Sequence, residues 1–213
     1  MPFVQMPDWD ARGILPPCNS VSPTSSDRSP YRVSLRELVL DFAKSAERVQ
    51  ILHGLLKYRA ALHALGVVQG FQWLDGSFFE HIEMIERRAP GDIDVVTFFA
   101  MPAGHTQLSL KQANPGLFPV NAAEREALKK SLHVDAFTQG LEAKPEALVS
   151  RSAYWYSVWS HRRDMTWKGY VEVDLAPTED GATIAELTAL PPQPPTLVLH
   201  AGFPAPAPAG VQP

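Results

Sequence analysis

The sequence predicts an α/β fold, in the α+β sense of a small mixed sheet backed by helices. Three observations predict it. Ile93–Phe99 is a nearly continuous apolar run, as in a strand covered on both faces. Residues 34–66 carry apolar side chains at helical spacing behind a Ser34/Glu37 capping pair. Shorter strand and helix signals follow one another from residue 67 to residue 190.

Composition narrows the function classes. The chain has 213 residues, enough for one domain with a real core plus peripheral segments. No apolar run approaches the roughly eighteen residues of a membrane span, and no basic flank precedes an apolar stretch at the N-terminus, so neither a membrane role nor a secretory signal is expected. Cys18 is the only cysteine, which rules out a disulfide or a Cys-based zinc site within one chain and points to a reducing cytoplasm. The net charge of -4 disfavours a long nucleic-acid partner, which calls for a basic surplus. A small nucleotide remains compatible.

Residues 1–33 read as an irregular arm or covering loop, with Pro16, Pro17, Pro23 and Pro30 among Ser, Thr and Asn. In the helical stretch from Ser34, Ser45 is a break and Gly66 a stop. His53 and His63 are read as packed or surface histidines. Residues 67–75 read as a strand ended by Gly76-Ser77, and Phe78–Arg88 as a helix with Phe78, Ile82 and Ile85 on its buried face. On that helix Glu80, His81 and Glu83 are expected to face solvent, and Arg87 and Arg88 to cap its end. His105–Leu110 is expected to be a short strand, Asn121–Ser131 a capped helix, Leu132–Phe137 a strand, and Pro145 the opening of a brief helix. Tyr154–Trp159 and Trp167–Leu175, rich in aromatic and β-branched residues, are expected to form a hairpin. Asp180 is expected to cap a last helix, Ala182–Leu190. The domain is placed at 34–190. A Pro-rich tail follows at 191–213, in which Leu197–Leu199 is a docking candidate and the prolines a site for a partner protein.

The chemistry concentrates in Asp75-Gly76-Ser77 and Asp92-Ile93-Asp94-Val95. Residues two apart on a strand share a face, so Asp92 and Asp94 present two carboxylates together. Such a pair on an apolar strand is costly unless a cation is shared or a proton is held, and hard oxygen donors suit Mg²⁺ or Mn²⁺. Gly76 permits close approach of an anion, Ser77 adds a hydroxyl, and a following helix would offer free N–H groups to phosphate. The cations Arg162, Arg163 and Lys168 are phosphate candidates; Tyr154, Trp155, Tyr156, Trp159 and Trp167 are read as core more readily than as base-stacking residues.

This pattern resembles the nucleotidyltransferase superfamily typified by DNA polymerase beta, in which a hydrophobic-Gly-Gly/Ser signature is followed, after a spacer, by an acidic-hydrophobic-acidic-hydrophobic stretch. Two departures are visible: Asp75 stands where an apolar residue is common, and the spacer from Phe78 to Gly91 is fourteen residues long. The resemblance implies an NTP substrate, ATP first, cradled by Gly76, Ser77, Lys168 and Arg163. It also implies metal ions held by Asp92, Asp94 and a third carboxylate, for which Asp135 is the first choice and Asp174 the runner-up. The implied reaction uses two metals about 4 Å apart, with Asp135 available as general base. A looser resemblance over residues 150–175 to an uncharacterised bacterial subgroup implies a toxin–antitoxin or phage-defence setting. A non-catalytic binding module and a metal-dependent phosphohydrolase are the alternatives.

Overall fold

The computed structural model describes residues 3–196. Five strands form one mixed sheet in the order β1-β5-β2-β3-β4. They are β1 (Tyr31–Arg32), β2 (Gly70–Asp75), β3 (Ile93–Phe99), β4 (Val134–Gly140) and β5 (Val171–Asp174). β2 runs antiparallel to both β3 and β5, while β3 and β4 are parallel, as are β1 and β5.

One face of the sheet is the main core. Leu74, Ile93, Val95, Val134, Ala136, Val171 and Val173 pack there against α1 (Leu35–Phe42), α2 (Ala46–Ala64) and α7 (Asp180–Ala189). Ser34 caps α1 by accepting from the Glu37 N–H, and Ser45 separates the two helices while capping α2. Beneath this face the buried Arg59 of α2 grips Asp180 at 2.7 and 2.9 Å and Gln72 at 2.7 Å; Gln72 in turn donates to Thr97 at 3.0 Å. This chain of partners ties two helices to β2 and β3, and no buried charge in it is left alone.

The other face carries aromatics. Val96, Phe98, Trp73 and Phe137 pack with Trp155, Trp159 and Tyr170. The N-terminal residues cover the body: Ile14 and Leu15 are buried, Gly169 donates its N–H to the Leu15 carbonyl at 2.7 Å, and Trp9 stacks on His81. Among the described residues no helix is long and apolar enough to cross a membrane.

Several expectations are corrected. The helix expected over Phe78–Arg88 is only a 3-10 turn, Ser77–Phe79, and a single turn of α3 (Ile82–Ile85). Glu80 is extended between them because its carboxylate turns inward to Lys168 and Arg162. Glu80 and Glu83 are therefore not solvent-facing: Glu80 is buried and Glu83 holds the buried Arg48 at 2.6 Å. Arg87 and Arg88 lie beyond α3 and cap nothing; Arg87 is left-handed and Arg88 pairs with Glu86.

His105–Leu110 is not a strand. Thr106 and Ser109 form a reciprocal capping box that starts α4 (Gln107–Ala113). The hairpin is also absent, because Tyr154–Trp159 belongs to α6 (Pro145–Trp159), opened by Pro145 as expected but running much further. Trp155 and Trp159 are four apart and bury one helical stripe, which overrides the β-propensity of the aromatics. Of the second hairpin arm only β5 and one bridge between His161 and Trp167 remain. Asp180 is the first residue of α7 rather than its cap, and its side chain serves Arg59. α5 (Ala122–Leu132) forms as expected behind Asn121. Leu197–Leu199 and the tail beyond lie outside the described residues.

Candidate active site

Register brings the acids together. Asp75 on β2 is paired with Asp94 on β3, and Asp94 is paired with Asp135 on β4, so three carboxylates form one row across three strands. Asp92, one residue before β3, projects to the same side by the two-residue period. The row closes the end of the aromatic face; Asp92, Asp94 and Asp135 line a cavity of about 650 Å³, within the range of small-ligand sites, while Asp75 is buried behind its wall. Ser77, Lys129, His161, Arg163 and Lys168 also line it.

Cations flank the row on both sides. Lys168 lies 2.8 Å from Asp75 and 3.3 Å from Glu80, and Arg162 continues this chain to Glu80 at 3.0 Å and Glu86 at 2.9 Å. On the other side Lys129 of α5 lies 2.6 Å from Asp92 and 3.3 Å from Asp135, and Arg125 is 3.5 Å from Asp135. Asp94, in the middle, forms no ion pair among the described residues.

Charge states follow from this arrangement. Burial, then the carboxylates of Asp75, Asp92 and Asp135, push Asp94 up to about 7, against a smaller opposing pull from Lys129. Burial pushes Asp75 up to about 6 despite Lys168 beside it. For Lys129 and Lys168 burial works the other way, but their acidic partners prevail and hold both ammonium groups above the usual lysine value. The site is a proton- and cation-hungry centre between two occupied flanks.

Gly76 makes the middle possible. Its φ of 95° is one that side-chain-bearing residues rarely adopt, and a Cβ there would overlap the Asp94 carboxylate. The cradle expected from a helix N-terminus is not present, since only a 3-10 turn follows Ser77; what remains is the open turn and the Ser77 hydroxyl at the cavity wall.

The structure thus gathers Asp92, Asp94, Asp135, Gly76 and Ser77 in one cavity. Lys168 is there too, yet buried and engaged with two acids, whereas Arg163 is exposed on the rim with no ion pair among the described residues. Asp174 is elsewhere: it pairs in register with Phe71, four residues along β2 from Asp75, and bonds Arg32 at 3.2 Å. That is about 13 Å of strand. Of the aromatics, Trp155 and Trp159 are core, while Tyr154, Tyr156 and Trp167 are exposed. The sequence reading missed Glu80 and Lys129, and treated Asp75 only as a departure from a motif. Asp75 was within reach, since strand alternation from Trp73 places it on the aromatic face. Lys129 and Glu80 gave no such signal, because their roles depend on tertiary placement.

The donor set suits a hard divalent cation: all oxygens, one of them, Asp135 Oδ1, buried without a hydrogen bond, and Asp94 lacking a counter-charge. Among the described residues, however, no three His, Cys, Asp or Glu side chains already stand as a metal-holding group. The Lys129 ammonium instead joins Asp92 to Asp135.

A mixed α/β domain with an acidic cleft at one end of its sheet is what fold and site define. The chain belongs to DUF6932, a family of unknown function, whose family model matches residues 7–174 and so takes in every strand and all four acids. No curated protein and no solved structure matches the chain.

Proposed function

We propose that the protein is a cytoplasmic, metal-dependent nucleotidyltransferase that moves a nucleoside monophosphate from an NTP, ATP first, to a hydroxyl of a protein, a tRNA end or a small molecule. One observation carries the reading: the β-sheet register sets Asp94 beside Asp135, with Asp92 on the same side and the Gly76-Ser77 turn packed on Asp94. The likeness of these motifs to the nucleotidyltransferase superfamily supports it. The setting proposed is a toxin–antitoxin or phage-defence system, with no long nucleic acid and with a partner protein at the Pro-rich tail.

In this reading Asp92, Asp94 and Asp135 would hold Mg²⁺ or Mn²⁺, which neutralises charge building on the phosphoryl oxygens. Ser77 donates its hydroxyl to a phosphate oxygen, and Arg163 supplies positive charge from the rim. Lys168 acts indirectly, by balancing Asp75 and Glu80 so that the wall carrying Ser77 stays in place. The acceptor hydroxyl attacks the α-phosphorus and gives its proton to Asp135, and pyrophosphate leaves.

A second reading, a non-catalytic nucleotide- or protein-binding module, draws support from the Lys129 contacts, which already neutralise two of the acids. Incubation with α-³²P-labelled ATP, Mg²⁺ and a cell lysate separates the readings. Wild type is expected to label an acceptor and Asp94→Asn to lose the label. Binding without turnover favours the module, release of inorganic phosphate without a labelled acceptor favours a phosphohydrolase, and label that persists in Asp94→Asn contradicts the site.

A further inference from the structure

We infer that Lys129 is the resident cation of the carboxylate centre and that a divalent metal ion binds there by displacing its ammonium group. The inference rests on Asp92, Asp94 and Asp135 being the metal ligands, and it assigns a role to a residue outside that set.

Lys129 Nζ bonds Asp92 at 2.6 Å and Asp135 at 3.3 Å, bridging the first and last acids of the set while leaving Asp94 bare. A single ammonium there does the electrostatic work of a cation between the two acids. Arg125, one helical turn earlier on α5, is not equivalent. Its guanidinium lies over the Phe137 ring at 5.1 Å and reaches Asp135 only at 3.5 Å. Lys129 is a third exposed and ends in a compact charge on a flexible four-carbon stem, so it can leave the acids without unpacking the helix. Leu128 beside it holds α5 to the core. The next residue, Lys130, points to solvent near Glu126 at 3.8 Å and does not touch the acids.

Divalent metal must therefore compete with an internal ammonium, and deleting that ammonium strengthens metal binding. A residue with a merely structural role would weaken binding when removed, so the sign of the effect is diagnostic. The test is Mn²⁺ alone, without nucleotide, titrated into the full chain and followed by the electron paramagnetic resonance signal of free Mn²⁺. Lys129→Met and Lys129→Gln are measured beside wild type, with Lys130→Met as a control for net charge and circular dichroism as a check of folding. The expected result is Mn²⁺ binding roughly three- to tenfold tighter in a folded Lys129 variant, from the loss of two partly exposed ion pairs, and unchanged in Lys130→Met. Equal or weaker binding in the Lys129 variants, or equal tightening in Lys130→Met, overturns the inference and leaves the metal reading intact. Failure of wild type and both Lys129 variants to bind Mn²⁺ overturns the metal reading, and the inference with it.

Discussion

Gly76 and Asp94 are fitted to each other, and both titration and substitution expose the fit. Asp94 ionises near 3.8 in the unfolded chain and at about 7 in the folded one. Between those values the folded state keeps a proton that the unfolded state has lost, so metal-free stability falls as pH rises from about 4 to about 7. Asp75, raised to about 6, adds to the same trend. Asp94→Asn removes the larger part. With a chelator present it is expected to stabilise the protein by about 1–2 kcal/mol at pH 8 and very little at pH 4. Thermal melts at the two pH values check this, since the gain corresponds to roughly 2–8 °C in Tm; an equal gain at both would remove the titration from the account. Gly76→Ala forces a Cβ onto the Asp94 carboxylate at a positive φ. It is expected to cost about 1–3 kcal/mol in urea unfolding and to weaken Mn²⁺ binding.

Elements place these residues through contacts that local sequence signals only half reveal. The Lys168 ammonium is buried between Asp75 and Glu80 and joins the 161–168 segment to β2 and to the loop after Ser77. Lys168→Met leaves the buried Asp75 carboxylate without its counter-charge and Glu80 with Arg162 alone, and is expected to destabilise by about 3–5 kcal/mol. Urea unfolding of Lys168→Met beside Asp75→Asn/Lys168→Met checks it, with part of the loss recovered in the double variant. α6 docks on the sheet chiefly through Trp155, whose ring lies 4.7 Å from Phe137, and Trp159, 5.9 Å from Tyr170. Trp155→Ala is expected to cost about 3 kcal/mol or more, with α6 amides exchanging faster while those of β3 stay protected. β3 was legible because an apolar run of that length has one reading. α6 was not, because its aromatics fit both periods and only the spacing of Trp155 and Trp159 decides. The single turn of α3 follows from Glu80 turning inward, a tertiary demand that local spacing does not register.

At the scale of the whole molecule, two charged networks on opposite faces of one sheet hold the site. On the helical face Arg59, Asp180, Gln72 and Thr97 lock α2 and α7 to the strands that carry the acids. On the aromatic face the acids are flanked by Lys168 and Lys129. The sheet's order and its pairing directions are what set Asp135 within the row and Asp174 about 13 Å away. The two-residue spacing of Asp92 and Asp94, and the Gly76-Ser77 turn, were legible in the sequence, which also ranked Asp135 ahead of Asp174; it did not decide between them, because register is a property of paired strands. The central claim is that Asp92, Asp94 and Asp135 receive metal and nucleotide together. The most direct measurement is a crystal structure with Mn²⁺ and a non-hydrolysable ATP analogue, read by the anomalous signal of manganese. The account predicts an anomalous peak bonded to those three carboxylates and to the analogue's phosphates, with Lys129 withdrawn from Asp92. Manganese or analogue bound elsewhere, with Lys129 still seated on the acids, would contradict it.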